Sequence, residues 1–240
     1  MKINKVSDYN EMSKVAAKIF ASEVLKNPKG AFGFATGSTP LGMYKELINL
    51  VKADLLDMSG ITAFNLDEYY PISGLNPKSY EYYMNKNLFD DVKIPKERRF
   101  IPNGEAFDPT MECEVYDELL SKQPIEMQIL GMGTNGHIGF NEPSDVFIPL
   151  THYVELAEST IESNKVHFSD SDVMPQDAIT MGIGSILKAK SILLLVNSAS
   201  KSKALKEALT GPVTPKLPAS VLQLHPNVIL VADSEALQWM

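Results

Sequence analysis

The sequence predicts an α/β fold: a three-layer Rossmann-like sandwich, with a mostly parallel sheet and helices on both faces. Three observations indicate it. Apolar segments of strand length alternate with segments in which apolar residues recur at helical spacing. Several strand segments are apolar throughout, as in parallel strands covered on both faces. Finally, polar loops directly follow three of these strands, where ligand-binding loops of open α/β sheets lie.

In the first half of the chain, Ser7 and Asp8 are candidate caps of a helix whose apolar positions run from Met12 to Val24. The short apolar segment 31–35 predicts a buried strand, and a helix follows through Met43, Tyr44, Leu47 and Val51. The apolar segment 61–66 predicts a second strand. Two more helices are predicted, one beginning near Ser79 and one over about 109–121.

In the second half, residues 126–133 form a third predicted strand that leads into a glycine-rich loop. Further strand candidates and helices complete the alternation, namely strands within 178–183, 191–196 and 227–232 and helices near 185–189 and 200–210. The polar stretch 156–175 has weak periodicity and predicts either a mobile flap or a surface helix.

Composition restricts the class of protein. The chain has 240 residues, is 44% hydrophobic and carries a net charge of -8, which indicates a single domain over 1–240 and argues against nucleic-acid binding. No apolar run approaches the roughly 20 residues that span a membrane. The start has no apolar signal core, so we expect a cytoplasmic protein.

The single cysteine, Cys113, cannot form an internal disulfide, and we expect a partly buried thiol there.

The first polar loop follows the strand at 31–35. Gly37, Ser38 and Thr39 lie between a strand and a helix start, where free backbone N–H groups and the helix dipole favour an anion. A nucleoside-triphosphate P-loop would have a lysine here, and this loop has none. A simple capped turn is an equal alternative from these residues alone.

The second loop contains Asp67 and Glu68, which directly follow an apolar strand. A partly desolvated carboxylate at a pocket mouth can act as a base. The alternative is that Asp67 only caps the next element.

The third loop contains glycines at 131, 133, 136 and 139 around Asn135, His137 and Glu142. The glycines allow tight turns and close approach to a ligand. A histidine oriented by a carboxylate is a general acid/base unit, because the partner fixes the tautomer and supports the imidazolium. No second histidine or cysteine has zinc-ligand spacing, so we expect no metal site.

Other polar residues give weaker signals. Lys201 follows the strand at 191–196 at a predicted helix start and could reach the same pocket, although most lysines face solvent. Surface or capping roles are expected for His152, His167 and His225. A set of tyrosines is expected to pack between loop and helix: Tyr69, Tyr70, Tyr80, Tyr82 and Tyr83.

Taken together, these motifs resemble the glucosamine-6-phosphate deaminase family. The similar stretches are "FATGSTPLGMYKEL", "FNLDEYY", "NPKSYEYYMNKNLF", "LGMGTNGHIGFNEP", "DAITMGIGSIL" and "LPASVLQLHPNV", in this order over nearly the whole chain. The related 6-phosphogluconolactonases usually have Asp-Glu-Arg where this chain has Asp67-Glu68-Tyr69, and they lack the "FNEP" ending. They are therefore the weaker hydrolase alternative.

The resemblance implies an aldose-ketose isomerisation with loss of ammonia, giving fructose 6-phosphate, without a metal or other cofactor. His137 would open the sugar ring, oriented by Glu142 and Asn135. Asp67 would move a proton from C2 to C1. Gly37, Ser38, Thr39 and Lys201 would hold the phosphate of a small sugar-phosphate substrate.

Three departures from the family pattern bear on substrate and regulation. Asn135 stands where many members have Asp, so the tuning of His137 would come mainly from Glu142. Val166 replaces the flap arginine that grips the phosphate, and Lys165 or His167 would have to substitute. The segment after "NEP" lacks the basic residues of allosteric members, so we expect no activation by N-acetylglucosamine 6-phosphate. Galactosamine 6-phosphate is the alternative substrate. A catalytically inactive sugar-phosphate sensor is disfavoured, because it has no need of Asp67, His137 and Glu142 together. A homo-oligomer is compatible with the sequence.

Overall fold

The structure is a computed structural model that describes residues 1–165, 168 and 173–240. Its main sheet has seven strands, all paired in parallel, in the order β1-β10-β9-β6-β2-β3-β5. Their bounds are β1 Lys2–Val6, β2 Ala31–Phe34, β3 Thr62–Asn65, β5 Arg99–Phe100, β6 Ile125–Leu130, β9 Ile192–Val196 and β10 Val228–Asp233. The predicted α/β class with a mostly parallel sheet is thereby confirmed.

A second, antiparallel sheet has three strands in the order β4-β8-β7. The strands are β4 Asp67–Tyr70, β7 His152–Glu155 and β8 Asp177–Thr180. Only Leu66 separates β3 of the main sheet from β4, so the chain passes directly from one sheet to the other at this point.

Helices surround the main sheet. Within the described residues the α-helices are α1 Tyr9–Lys26, α2 Leu41–Lys52, α3 Tyr80–Met84, α4 Pro109–Lys122, α5 Glu158–Lys165, α6 Ile183–Leu187 and α7 Ser202–Thr210. A π-helical turn, 85–89, continues α3, and short 3-10 helices cover 96–98, 199–201 and 218–224.

Side-chain caps determine several helix starts. Asp8 accepts a hydrogen bond from the backbone N–H of Glu11 and so begins α1. Ser79 begins α3 in the same way, through the N–H of Tyr82. Both starts are as predicted, because a short polar side chain immediately before a helical pattern replaces a missing backbone partner.

The core lies between the main sheet and its helices. Strands β2 and β9 are buried at every position, which explains their uninterrupted apolar sequence. From α1, Phe20 packs against Phe32 of β2 with ring centroids 5.1 Å apart. This rigid centre positions the carboxyl ends of β2, β3, β6 and β9, from which the functional loops emerge.

Two predictions about the strands are wrong in detail. Residues 67–70 form a strand, β4, rather than an open loop. The apolar segment at 178–183 contributes β8 to the antiparallel sheet rather than a strand to the parallel one. A short apolar run does not reveal which sheet it joins, because both environments bury its side chains.

The stretch 156–175 contains α5 at its start. Val166 and His167, which bear on the missing flap arginine, lie outside the described residues. In the described part of the chain, no helix combines the length and apolar character needed to cross a bilayer.

Candidate active site

A cavity of about 260 Å³ opens at the carboxyl ends of β2, β3 and β6. It is lined by backbone and side chains from all three loops that follow these strands, by Tyr80 of α3, by two residues of α5 and by Lys201. This position is where open parallel sheets bind ligands, since the loops diverge there.

The loop after β2 forms one wall. Gly37 has φ of 94°, a left-handed conformation that favours glycine. Two tyrosine hydroxyls fix the loop by donating to its carbonyl oxygens: Tyr83 to Gly37 at 2.6 Å and Tyr9 to Ser38 at 2.9 Å. The Tyr9 hydroxyl also accepts from the N–H of Gly42 in α2, so the loop is held against the start of that helix.

Lys201 approaches this loop from the end of a 3-10 helix beyond β9. Its Nζ lies 3.3 Å from Thr39 Oγ1, although 162 residues separate the two in sequence. Thr39 in turn donates to Asn197 Oδ1 at 3.0 Å. Burial lowers the pKa of Lys201, and the nearby Asp233 partly opposes this. An ammonium group, a hydroxyl and a glycine-containing turn therefore meet at one place.

Asp67 lines the cavity from the first position of β4 and is only 5% exposed. Burial, with a smaller contribution from the charge of Glu68, raises the pKa of Asp67 to about 8. A carboxyl group with this pKa is a far stronger base than an ordinary aspartate once it is ionised.

Glu68, the next residue, performs a different task. Its carboxylate accepts hydrogen bonds from the N–H groups of Tyr69, Tyr80 and Glu81 at 2.8 to 2.9 Å. Burial raises the pKa of Glu68 to about 7, although these three bonds act in the opposite direction. Glu68 therefore ties β4 to the start of α3 and places Tyr80 at the cavity.

His137 and Glu142 form a pair in the loop after β6. His137 Nδ1 lies 3.5 Å from Glu142 Oε2, and Asn135 Nδ2 donates to the same oxygen at 2.9 Å. Asn135 Oδ1 also accepts from the backbone N–H of His137 at 3.1 Å. Burial disfavours the charge of Glu142, but interactions with His137, Thr160 and Asn135 outweigh it and hold its pKa below the usual value.

Glycines allow this loop to close around the imidazole. A Cβ at Gly133 would lie within 2.4 to 2.6 Å of three ring atoms of His137, so any larger residue would displace the ring. Gly139 has φ of 58°, and a Cβ there would approach Asp67 Oδ2 to 3.3 Å. The loop is anchored to the second sheet, because Thr180 Oγ1 accepts from the N–H of Phe140 at 3.0 Å.

The structure brings the residues selected from sequence together. Glu142 contacts the cavity indirectly, through His137. The others line the cavity themselves: Asp67, Asn135, His137, Gly37, Ser38, Thr39 and Lys201. Their roles remain proposals, but their common location agrees with the sequence-based hypothesis.

Sequence reasoning missed three cavity residues that come from outside the three strand-end loops. Thr160 and Asn164 come from α5, whose polar sequence gave no site signal, and Tyr80 was assigned only to packing. The spacing of Thr160 and Asn164, one helical turn apart, is the signal that could have placed both on one face.

The other polar candidates are structural. His225 is buried, with Nε2 2.8 Å from the carbonyl oxygen of Ala189, and it is the C-terminal cap residue of the 3-10 helix 218–224, so of the two predicted roles the capping one is confirmed and the surface one is wrong. His152 lies in β7 with Nδ1 3.0 Å from the carbonyl oxygen of Leu150. Cys113 is buried in α4. Tyr69 packs against Tyr80 with ring centroids 4.7 Å apart, as expected, but Tyr82 is 37% exposed, so the packing role is wrong for Tyr82.

Fold and cavity together define a class: a parallel α/β protein with a polar cavity at its strand ends, where a buried carboxyl group, a histidine–glutamate pair and a glycine-containing loop beside a lysine meet. In the residues that the structure describes, no group of three or more histidine, cysteine or acidic side chains is arranged to hold a metal ion.

Comparison with known proteins gives the family. The family described as "Glucosamine-6-phosphate isomerases/6-phosphogluconolactonase" matches residues 8–230. A glucosamine-6-phosphate deaminase of Alkaliphilus oremlandii is 50% identical over 237 residues, covering 98% of both chains. The solved structure of a monomeric glucosamine-6-phosphate deaminase is 41% identical and superposes with a TM-score of 0.96, covering 100% of both chains.

The chain therefore belongs to the glucosamine-6-phosphate isomerase/6-phosphogluconolactonase family, and the resemblance stated from its motifs is confirmed. A 6-phosphogluconolactonase from Trypanosoma brucei has a TM-score of 0.78 at 16% identity, covering 100% of this chain and 98% of its own, which shows a shared fold.

Proposed function

We propose that this chain is a glucosamine-6-phosphate deaminase that converts its substrate to fructose 6-phosphate and ammonia. The observation that carries the proposal is that Asp67, His137 and Lys201 line one cavity with the Gly37–Thr39 loop. A relative 50% identical over 98% of both chains bears this activity in its name, which supports the assignment. We place the activity in one domain over 1–240, in the cytoplasm, with no resident cofactor.

The phosphate of the substrate binds beside Lys201. Lys201 Nζ lies 3.3 Å from the Thr39 hydroxyl, which itself donates to Asn197, so the ammonium group is held in place and keeps further N–H groups to donate to the phosphate oxygens. Partial burial strengthens these charge-assisted bonds, because water competes less. Anchoring this end of the substrate directs its C1 and C2 atoms toward the opposite wall, where Asp67 and His137 lie.

His137 opens the sugar ring. As a neutral imidazole it accepts the proton of the O1 hydroxyl, the O5–C1 bond breaks and the proton passes to O5, giving the open-chain aldehyde. Glu142, 3.5 Å from Nδ1, supports the transient imidazolium, and Asn135 holds the carboxylate through its bond of 2.9 Å.

Asp67 then performs the isomerisation. Its carboxylate removes the proton from C2 of the aldehyde, and the electron pair of that C–H bond forms the C1=C2 double bond. The C2 ammonium group gives up one proton and O1 takes one up, which leaves an enediol-type intermediate with an amino group on C2. The proton held by Asp67 then returns to C1 as the nitrogen lone pair forms the C2=N bond. The buried, solvent-shielded position of Asp67 suits this transfer, since a proton held there exchanges slowly with water. The product is a protonated imine at C2. Water adds to it, and ammonia leaves as the ketone of fructose 6-phosphate forms.

Two alternatives differ in substrate or chemistry. Galactosamine 6-phosphate undergoes the same steps and differs only at C4, and the replacement of the flap arginine by Val166 motivates this alternative. A 6-phosphogluconolactonase would hydrolyse an ester and has no use for a base at C2. Similarity to a 16% identical lactonase supports the common fold but no such activity here.

Ammonia release measured with glucosamine, galactosamine and mannosamine 6-phosphates, and lactone hydrolysis measured in parallel, would test the proposal. We expect glucosamine 6-phosphate to be deaminated most efficiently. Asp67→Asn should lower kcat by about three orders of magnitude while substrate still binds. Preference for the galacto epimer, or lactone hydrolysis without deamination, would contradict the assignment.

A further inference from the structure

Helix α5 supplies two side chains to the cavity from outside the three strand-end loops. Thr160 and Asn164 are four residues apart, hence on the same face of the helix, and both line the cavity. Thr160 is buried, and its hydroxyl lies beside the pair formed by His137 and Glu142.

Hydrogen-bond directions follow from the chemistry of these groups. The Thr160 hydroxyl donates to Glu142 Oε1, and its oxygen lies 3.4 Å from His137 Nδ1. A hydroxyl has a single hydrogen, so after donating to the carboxylate its oxygen can only accept from Nδ1. Glu142 Oε2, 3.5 Å from Nδ1, is also an acceptor. Both neighbours therefore favour the tautomer with hydrogen on Nδ1, which leaves the lone pair on Nε2.

We propose that Thr160 is a positioning residue that fixes the hydrogen of His137 on Nδ1, so that Nε2 takes up and returns the proton during ring opening. This inference rests on the proposed deaminase function. Thr160 belongs to α5, whereas His137 and Glu142 belong to the loop after β6. The acid/base pair is therefore complete only while α5 packs on the cavity, which couples the position of this helix to catalysis.

A second contact holds α5 in register. Asn164 Nδ2 donates to the hydroxyl of Tyr69 at 2.9 Å, and the hydroxyls of Tyr69 and Tyr80 lie 3.3 Å apart. Tyr80 lines the cavity, and the N–H of Tyr80 is held by Glu68. Thr160 thus joins α5 to His137 and Glu142, and Asn164 joins it to Tyr69 and, through Tyr69, to Tyr80.

Three variants separate positioning from folding. Thr160→Val keeps the shape and removes the hydroxyl, Thr160→Ser keeps the hydroxyl, and Glu162→Gln changes an exposed residue of the same helix. With glucosamine 6-phosphate, Thr160→Val should lower kcat about tenfold or more and change KM less than about threefold, since the lost contact orients an acid/base group. Thr160→Ser and Glu162→Gln should stay close to wild type.

Two further readouts respond to the hydroxyl itself. In the free wild-type protein, 15N NMR of His137 should show hydrogen on Nδ1, and Thr160→Val should show a mixture of tautomers. The pKa of Glu142, followed by 13C NMR of its side-chain carboxylate in the free protein, should be higher in Thr160→Val than in wild type, because the Thr160 hydrogen bond helps to hold it low.

The inference is overturned if Thr160→Val retains wild-type kcat and the wild-type 15N signals. It is also overturned if KM rises while kcat stays constant, since Thr160 would then be a substrate contact. Absence of deamination by the wild-type protein would instead contradict the proposed function, and the NMR measurement on the free protein would still test the role of Thr160.

Discussion

Asp67 and Glu68 are adjacent buried acids on β4 that serve different parts of the molecule. Successive side chains of a strand point to opposite faces, so Asp67 lines the cavity while Glu68 accepts three N–H groups, including those of Tyr80 and Glu81 in α3. Glu68 thereby fixes one wall of the cavity, and its charge contributes to the raised pKa of Asp67. This relationship makes the pH dependence of the enzyme specific and testable.

The first prediction concerns activity against pH. In the proposed mechanism Asp67 is the base and must be ionised to act, and its pKa is raised to about 8, mainly by burial. kcat/KM should therefore increase as pH rises through about 8, rather than through the range of an ordinary aspartate near 4. A steady-state profile from pH 5 to 9 measures this. A flat profile above pH 6 would show that Asp67 is already ionised there.

The second prediction concerns the contribution of Glu68. In Glu68→Gln the neighbouring negative charge is removed, so the pKa of Asp67 should fall and the rise in kcat/KM should move to lower pH. Burial of Asp67 remains, so the shift should be partial, on the order of one pH unit or less. A profile unchanged in position would contradict electrostatic coupling between these acids. Gln at position 68 has one oxygen acceptor fewer than Glu, so one hydrogen bond to the N–H groups at the start of α3 is lost. The circular dichroism spectrum of Glu68→Gln should match that of the wild type, which shows that this loss leaves the fold intact.

The third prediction concerns stability. The native pKa of Asp67 is raised, so the native state retains a proton that the unfolded state releases above its own pKa near 3.8. The favourable contribution of this proton is complete below pH 3.8 and is lost as pH rises to about 8.

Asparagine resembles the protonated acid at every pH. Asp67→Asn should therefore be more stable than wild type by an amount that grows from pH 4 to 8 and reaches the order of a few kcal/mol. Urea unfolding at several pH values measures the difference. Glu114→Gln, at an exposed position on α4, is the matched control and should show no such growth.

The sequence predicted much of this arrangement because catalytic loops and turns carry local signals. Gly133, His137 and Glu142 stand within ten residues of one another, and Asp67 directly follows a buried strand. Position in a parallel sheet then brings such loops to one edge. The edge strand β1 was not predicted, because its exposed face gives it a mixed polar sequence.

Thr160 and Glu68 could not be assigned from sequence for a different reason. The role of Thr160 depends on the packing of α5 against a loop that ends 18 residues earlier, at Glu142. Glu68 acts through backbone N–H groups 12 and 13 residues away, at Tyr80 and Glu81. The partners of Glu68 are not marked by residue type or period, because any residue supplies a backbone N–H.

The fourth prediction concerns Gly133. Alanine there would place Cβ 2.4 Å from His137 Cε1, so the imidazole must move away from the geometry that Glu142 supports. Gly133→Ala should lower kcat about tenfold or more without a comparable loss of stability, since misplacement of an acid/base group is costly.

Gly131→Ala is the matched control, because a Cβ there meets no atom within 4 Å. Thermal unfolding should be similar for both variants, while NMR resonances of the His137 ring should change only in Gly133→Ala. Unchanged His137 resonances in Gly133→Ala would contradict the close contact between this glycine and the ring.

The fifth prediction concerns regulation. The segment after Pro143 includes β7, in which His152, Val154 and Glu155 stand at the place where the resemblance leads us to expect basic residues in an allosteric member. A phosphate would find no cluster of fixed positive charge in β7. N-acetylglucosamine 6-phosphate should therefore leave KM for glucosamine 6-phosphate unchanged. A clear decrease in KM on adding this compound would contradict the prediction, and glucose 6-phosphate is the control for general effects of a sugar phosphate.

The last prediction tests the phosphate end of the cavity. Lys201→Met keeps the aliphatic length of the side chain and removes the charge that lies next to Thr39. A lost charge-assisted hydrogen bond should weaken phosphate binding roughly ten- to hundredfold, so KM and the inhibition constant of inorganic phosphate should both increase by this factor. kcat should change much less, because in the proposed function Lys201 binds the phosphate, a part of the substrate that does not react. Lys203→Met, at an exposed position on α7, is the matched control and should behave as wild type.

The same lysine also predicts a pH dependence. Burial lowers the pKa of Lys201, so phosphate inhibition of the wild type should weaken at a lower pH than it would if the pKa were that of an ordinary lysine. This pH dependence should disappear in Lys201→Met. If Lys201→Met left both constants unchanged, the anion would have to bind elsewhere in the cavity, and the orientation of C1 and C2 toward Asp67 would lose its support.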